Sequence, residues 1–287
     1  MGTFSRSASL FRSSWEVLRQ DKELMLLPIL STVAAVVLMA PFLAGVFVTS
    51  NASKVIEATG PSAPQFTMQP LGWVLLFLGY LVASYVVIFF QAALVLAANE
   101  RLTGGSPTLS SALRMAAANA GHILPWALVC ATVSIVIKAI QQKTGVVGQI
   151  LGAVAGVAWA LVTLLVVPIM VIEHVGMKEA VTRSGQAFKR TWGENLTVNG
   201  GLGLVSVIAV FAGFGVAFAI GLVSPVAALV VFVAWMVLVS SFTGALGGIF
   251  RTALYRYAVK GEESPGFTEE QLAGAFRTRS KQHAAAH

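Results

Sequence analysis

The sequence predicts an all-α polytopic membrane bundle of six transmembrane helices, arranged as three hairpins with cytoplasmic interfacial amphipathic helices and both termini inside. Three observations carry this. The chain is 56% hydrophobic and only 11% charged, with a mean hydropathy of +0.80, whereas soluble domains carry about 25% charged residues. Six apolar runs lie at 24–50, 71–98, 123–140, 146–172, 197–222 and 225–250. Each approaches the ~20 residues needed to cross a ~30 Å hydrocarbon core, the third with little to spare. Sixteen of the nineteen Lys and Arg residues fall in 1–23, 99–122, 173–196 and 251–287, leaving Lys54, Lys138 and Lys143 on the other side. Basic residues flanking membrane helices stay cytoplasmic, which fixes the expected orientation at the cell membrane.

The first element is an amphipathic helix in the N-terminal segment, where Phe4, Phe11, Trp15 and Leu18 share a face and Arg12, Glu16 and Arg19 lie away from it. Its acidic residues and the length of the run that follows argue against a cleaved signal peptide, so the first span is expected to be retained. Segment 51–70, with Pro61, Pro64 and Pro70, reads as an irregular outer connection. The second span contains Gln91, the main strongly polar side chain far from a helix end. Ser106-Pro107 then opens a second amphipathic helix bearing Leu109, Ala112, Leu113 and Ala116 on one side.

Spans three and four are joined by a short loop from Gln141 to Val147, with Cys130, the single cysteine, inside the third. A third amphipathic helix places Met177, Val181, Gly185, Phe188 and Trp192 on one face and Arg183 and Arg190 opposite. Ser224 as N-cap and Pro225 at the first helical position make a near-minimal turn into the sixth span. Near the C-terminus, Thr268 to Gln271 fits a capping box, and Phe267 with Leu272 a hydrophobic staple. Residues 1–277 therefore form one membrane domain, and 278–287 a disordered tail. The order of interfacial helix, polar corner and hairpin recurs three times, which reads as a degenerate internal repeat; the competing explanation is that any even-numbered bundle makes hairpins.

Small-residue stripes suggest how the bundle packs, because lipid chains are as apolar as Leu and helices associate through close contact. Gly148, Gly152, Gly156 and Ala160 form one stripe, Ala209, Gly213, Ala217 and Gly221 a second, and Gly244 with Gly248 a third. The expectation is that spans four, five and six pack along these faces. Trp15, Trp73, Trp126 and Trp192 fit an aromatic belt near the span ends, and Trp159 and Trp235 fit packing positions. Pro41 and Pro168 are candidate kinks.

The spans hold no acidic or histidine chain suited to a proton relay and no Arg ladder for voltage sensing. No zinc-binding helix, phosphate loop or nucleophile elbow is present. Neither a cofactor nor a metal is expected, and the chain is read as non-enzymatic. The net charge of +7 sits beside bilayer spans. It suits anionic phospholipid headgroups, at about 1 kcal/mol per basic side chain near the surface, and not nucleic acid. Arg183, Lys189, Arg190 and Trp192 are the candidates for headgroup or partner contact.

Pro168, Glu173, Gly176, Glu179, Ala180, Arg183 and Ser184, followed by Phe188-Lys189 and Trp192-Gly193, form a pattern that resembles an uncharacterised six-helix membrane family of actinobacteria and related prokaryotes. That family is similar to the membrane domain fused to some glycerophosphodiester phosphodiesterases. The resemblance implies a multi-pass protein without an agreed activity, and there is no soluble segment to hold the phosphodiesterase domain. Physically, the pattern marks a cytoplasmic corner in which Glu173 and Glu179 pair with Arg183, or with Arg101 or Arg256 of neighbouring repeats.

Three functional readings follow. The first is a non-catalytic accessory or lipid-interacting protein at the inner leaflet, engaging anionic phospholipid or an unidentified protein partner. The second is a transporter or lipid-translocating protein, which would need a polar intramembrane cavity near Gln91, Ser134, Ser206 or Ser240. The third, a membrane enzyme, would need Glu173, His174 and Glu194 gathered around a cleft.

Overall fold

The computed structural model describes residues 13–19, 21–57, 67–143, 145–192, 210, 212–218, 224–262, 264–268 and 272. Apart from one isolated antiparallel bridge between Ser50 and Met68, the regular structure among them is helical. Helix α1 covers 13–19, and a 3-10 turn at Lys22–Met25 leads into α2 (Leu26–Val48). There follow α3 (Ala52–Glu57), α4 (Pro70–Leu102), α5 (Leu109–Ala118), α6 (Ala120–Lys143), α7 (Gly145–Val162), α8 (Val166–Ile172) and α9 (Met177–Trp192). Helix α10 covers 212–218, and α11 (Pro225–Tyr255) continues into a π-helical turn, Arg256–Lys260.

Five stretches of the described residues are long and apolar enough to cross a bilayer: Glu23–Val48, Pro70–Leu102, Ala120–Gln141, Gly148–Ile172 and Val226–Lys260. These match the first four and the sixth of the expected spans. The expected fifth span, 197–222, falls outside the described residues except for 210 and α10. No more than 22% of the most apolar window of any of the five stretches is buried. Val33, Val36, Leu71, Val74, Ile150, Val154, Val226 and Leu229 all point outward. So much contiguous exposed apolar surface is untenable in water and is what a lipid-facing wall requires.

Burial concentrates at one end of the bundle. There the second half of α4 (Ala92, Ala93, Val95, Ala97, Ala98) meets Leu165, Ile169 and Met170 around α8 and Leu246, Ile249, Leu254 and Tyr255 of α11. Helix α4 is the central element and packs against α2, α5, α6, α8 and α11. Its partnership with α2 is close because Gly79 lets the helices approach: a Cβ there would lie 2.8 Å from the Cβ of Phe42.

Several expectations need correction. The connection after the first span contains α3 and is closed by backbone hydrogen bonds from Asn51 N–H to Thr67 O (3.1 Å) and Gln69 N–H to Thr49 O (3.0 Å). Asn51 Oδ1 also accepts from Thr67 N–H at 2.7 Å. Helix α5 begins at Leu109, since Thr108 is its N-cap and forms a reciprocal capping box with Ser111. The Gly244/Gly248 stripe does not face α7: a Cβ on Gly244 would meet Pro28 of α2, and one on Gly248 would meet Leu94 of α4. Gly152 likewise abuts Gln141 of α6, whereas Gly213 does pack against the sixth span as expected, since a Cβ there would collide with Trp235 of α11. Trp126 is buried against Trp159, ring centroids 5.9 Å apart, and so belongs to the α6–α7 contact instead of a belt.

Candidate functional site

The fourth span is broken. Proline has no N–H to give the carbonyl four residues back, and its ring crowds that carbonyl. Pro168 accordingly leaves a turn at 163–165 between α7 and α8. Several backbone groups at the turn find new partners. Leu164 N–H bonds Leu161 O, and Val166 N–H bonds Thr163 O. Thr163 Oγ1 donates to Trp159 O at 2.7 Å. Two more go to a single side chain on another helix: Ser184 Oγ donates to Val162 O at 2.5 Å and accepts from Leu165 N–H at 3.3 Å. Ser184 is fully buried, at the centre of the stripe Ala180–Ser184–Ala187–Phe188. That stripe is turned away from the expected face centred on Gly185, because the break draws the serine inward.

Glu173 closes α8 and anchors the corner. Its carboxylate accepts from Tyr255 Oη at 2.8 Å and pairs with Arg183 at 2.5 Å, and Arg183 also reaches Glu179 at 2.5 Å. His174 adopts a left-handed backbone (φ 53°) and holds it with a 3.0 Å contact from Nδ1 to Asn119 Oδ1. Arg101 and Arg256 join neither glutamate. Arg101 forms a bidentate pair with Asp21, and Arg256 pairs with Glu262 at 2.7 Å and Asn99 at 3.4 Å. Three separate ion-paired knots therefore tie the start of the 3-10 turn, α4, α8, α9 and the end of α11 together.

This geometry changes the standing of the headgroup candidates. Arg183 is neutralised by two carboxylates. Arg190 donates to the carbonyl of Ala258 at 2.7 Å, bracing α9 against the π-helical turn. Lys189 is exposed, and the side chain of Trp192 lies outside the described residues. Glu194 lies outside them too, while Glu173 and His174 point to different partners.

A cleft that the sequence only hinted at lies between α2, α4 and α11. It has a volume of about 370 Å³ and is lined on its polar side by Ser31, Thr32, Gln91, Ser240, Thr243 and Arg251. Pro28, Val87, Phe90 and Leu94 supply the apolar side, and Gly244, Gly247 and Gly248 hollow the α11 face. Gln91 and Ser240 were expected to line such a cavity; Ser134 is not part of its lining, and Ser206 lies outside the described residues. The residue missed was Arg251, assigned to a cytoplasmic segment because the apolar run ends at 250. The available signal was helical spacing: Ser240, Gly244, Gly247, Gly248 and Arg251 fall on one side of a continuous helix.

A family model described as a family of unknown function (DUF6159) matches residues 70–266. The chain belongs to this family. The DUF6159 match runs from the first residue of α4 past the π-helical turn, so it takes in the broken span, the Glu173 corner and the α4 and α11 walls of the cleft. The α2 wall lies outside it. No curated protein matches the chain.

Proposed function

We propose that this protein is a non-catalytic integral membrane protein of the cell membrane that binds anionic phospholipid of the inner leaflet, with both termini cytoplasmic. The observation that carries the reading is the cleft between α2, α4 and α11, where polar side chains and an Arg face an apolar wall across one chamber. An amphiphile matches both sides at once, and the surrounding lipid-facing helices give it a route in from the bilayer. The charge bias places the knots of Asp21–Arg101, Glu173–Arg183 and Arg256–Glu262 at the cytoplasmic end. The likeness to the membrane domain of glycerophosphodiester phosphodiesterases belongs to the same proposal and lends it a lipid setting without a phosphodiesterase activity.

The test is mass spectrometry of the full chain extracted together with its surrounding membrane. A stoichiometric anionic phospholipid that survives gentle delipidation is expected. A stoichiometric protein partner with no retained lipid would make the chain an accessory subunit of that partner instead. A second reading, lipid translocation, is favoured by the broken fourth span, because discontinuous membrane helices recur where transporters bind and move substrates. Labelled-lipid flipping in vesicles containing the purified protein separates it from simple binding.

A further inference from the structure

We infer that Arg251 is the anion-selecting group of the cleft, so that its occupant is a phospholipid of net negative charge. Its phosphate would sit against the guanidinium, and its glycerol and upper acyl region against Pro28, Val87, Phe90 and Leu94. The inference rests on the lipid-binding reading above and deepens it.

Thr32 donates to Pro28 O at 3.0 Å, Ser240 to Met236 O at 2.7 Å and Thr243 to Val239 O at 2.8 Å. Each hydroxyl has therefore given its proton to its own helix and faces the chamber only as an acceptor. Of the cleft's polar lining, Ser31, Gln91 and Arg251 make no hydrogen bond or ion pair, so the Ser31 hydroxyl stays available as well. Arg251 and Gln91 supply the cleft's free N–H donors: up to five from the guanidinium and two from the carboxamide. No Asp or Glu lines the cleft, so one positive charge stands uncompensated.

An unpaired guanidinium inside a membrane span is costly and marks a functional position by default. Snorkelling to the interface is the competing explanation. Here α11 and its π-helical turn run nine residues beyond Arg251 to Lys260, about 13 Å of helix, and the side chain lines the chamber. Gly247 leaves the approach open, since a Cβ there would meet nothing within 4 Å, whereas Gly244 and Gly248 let Pro28 and Leu94 lie against α11. Guanidinium pairs with phosphate through parallel N–H bonds, which a lone ammonium cannot reproduce.

The test uses the full chain, stripped of lipid and titrated in detergent with phosphatidylglycerol or phosphatidylcholine of identical acyl chains, with occupancy read by native mass spectrometry. Both lipids carry phosphate, but choline adds a compensating cation, so their ratio reads the net charge the cleft accepts. The wild type is expected to prefer phosphatidylglycerol about tenfold, equivalent to about 1.4 kcal/mol. Arg251→Gln should bind both lipids equally, and Arg251→Lys, which keeps the charge but not the paired N–H bonds, should regain only part of the preference. An unchanged preference in Arg251→Gln overturns the inference while leaving lipid binding intact. Loss of preference in Lys189→Gln would overturn it in favour of the α9 surface. Displacement of phosphatidylglycerol by millimolar inorganic phosphate would also overturn it, since the site would then take a free anion. Failure of the wild type to hold either lipid refutes the underlying reading itself.

Discussion

Replacing Ser184 tests whether the fourth span is held broken by a side chain from α9. Ser184→Ala removes a donor to Val162 O and an acceptor from Leu165 N–H. A buried polar group stripped of its partner costs about 1–3 kcal/mol in soluble proteins. Hydrogen bonds between membrane helices average nearer ~0.6 kcal/mol, with a maximum of about 1.7. Leu165 is fully buried whereas Val162 is partly exposed, so the two losses together should come to about 2 kcal/mol. At about 2–4 °C per kcal/mol for a chain of this size, the melting temperature in detergent should fall by about 4–8 °C. Pro168→Ala restores an N–H for Leu164 O and removes the ring, letting the helix close through the break. In that background Ser184→Ala should cost almost nothing. The double-mutant cycle on thermal stability should therefore show a coupling of at least about 1 kcal/mol, although the residues are on different helices. Equal costs in both backgrounds would falsify the idea that proline opens the gap the serine fills.

Glu173→Gln should destabilise the protein more than Arg183→Gln, by about 1–2 kcal/mol in the same melt. Glutamine weakens both the bond from buried Tyr255 and the pair with Arg183, whereas the half-exposed Arg183 contributes only about 1 kcal/mol or less. Gly248→Leu should lower stability by about 1–3 kcal/mol because Leu94 occupies the space, and Gly156→Leu, with nothing near its Cβ, should be close to neutral. In a Cys130→Ala background, a cysteine at Ser53 should react with a membrane-impermeant maleimide in intact cells and one at Glu262 only after lysis; the reverse pattern would invert the proposed orientation.

Local chemistry was legible in the sequence where it depends on spacing within one segment. The Ser224-Pro225 helix start, the Glu179–Arg183 pair at i,i+4 and the buried Phe267 and Leu272 all follow from offsets of a few residues. Arg101 was harder, because its partner Asp21 is eighty residues away, at the entry to the first span, and only tertiary packing brings them together. The same difficulty governs the broken span. Pro168 and Ser184 are both visible in the pattern, but proline alone says only that the helix is interrupted, not which side chain meets the groups at the turn.

Arg251 carries the most general reason for what was missed. Hydropathy ends a membrane span at the first charge, whereas the helix ends where its backbone pairing ends, and in α11 the two lie several residues apart. A charge just past an apolar run is read as solvated when the run is treated as a scalar. Treated as a helix, the same residues place Arg251 directly below a strip of glycines on the face that also carries Ser240. Of the three glycines beside one uncompensated guanidinium, Gly248 admits Leu94 and Gly244 admits Pro28, while Gly247 faces open space that packing does not explain. That open space and the guanidinium make sense together as the wall of a site. That is why, among the described residues, the cleft with its unpaired guanidinium, and not the corners whose charges are ion-paired, is where an anionic ligand has a charge left to bind.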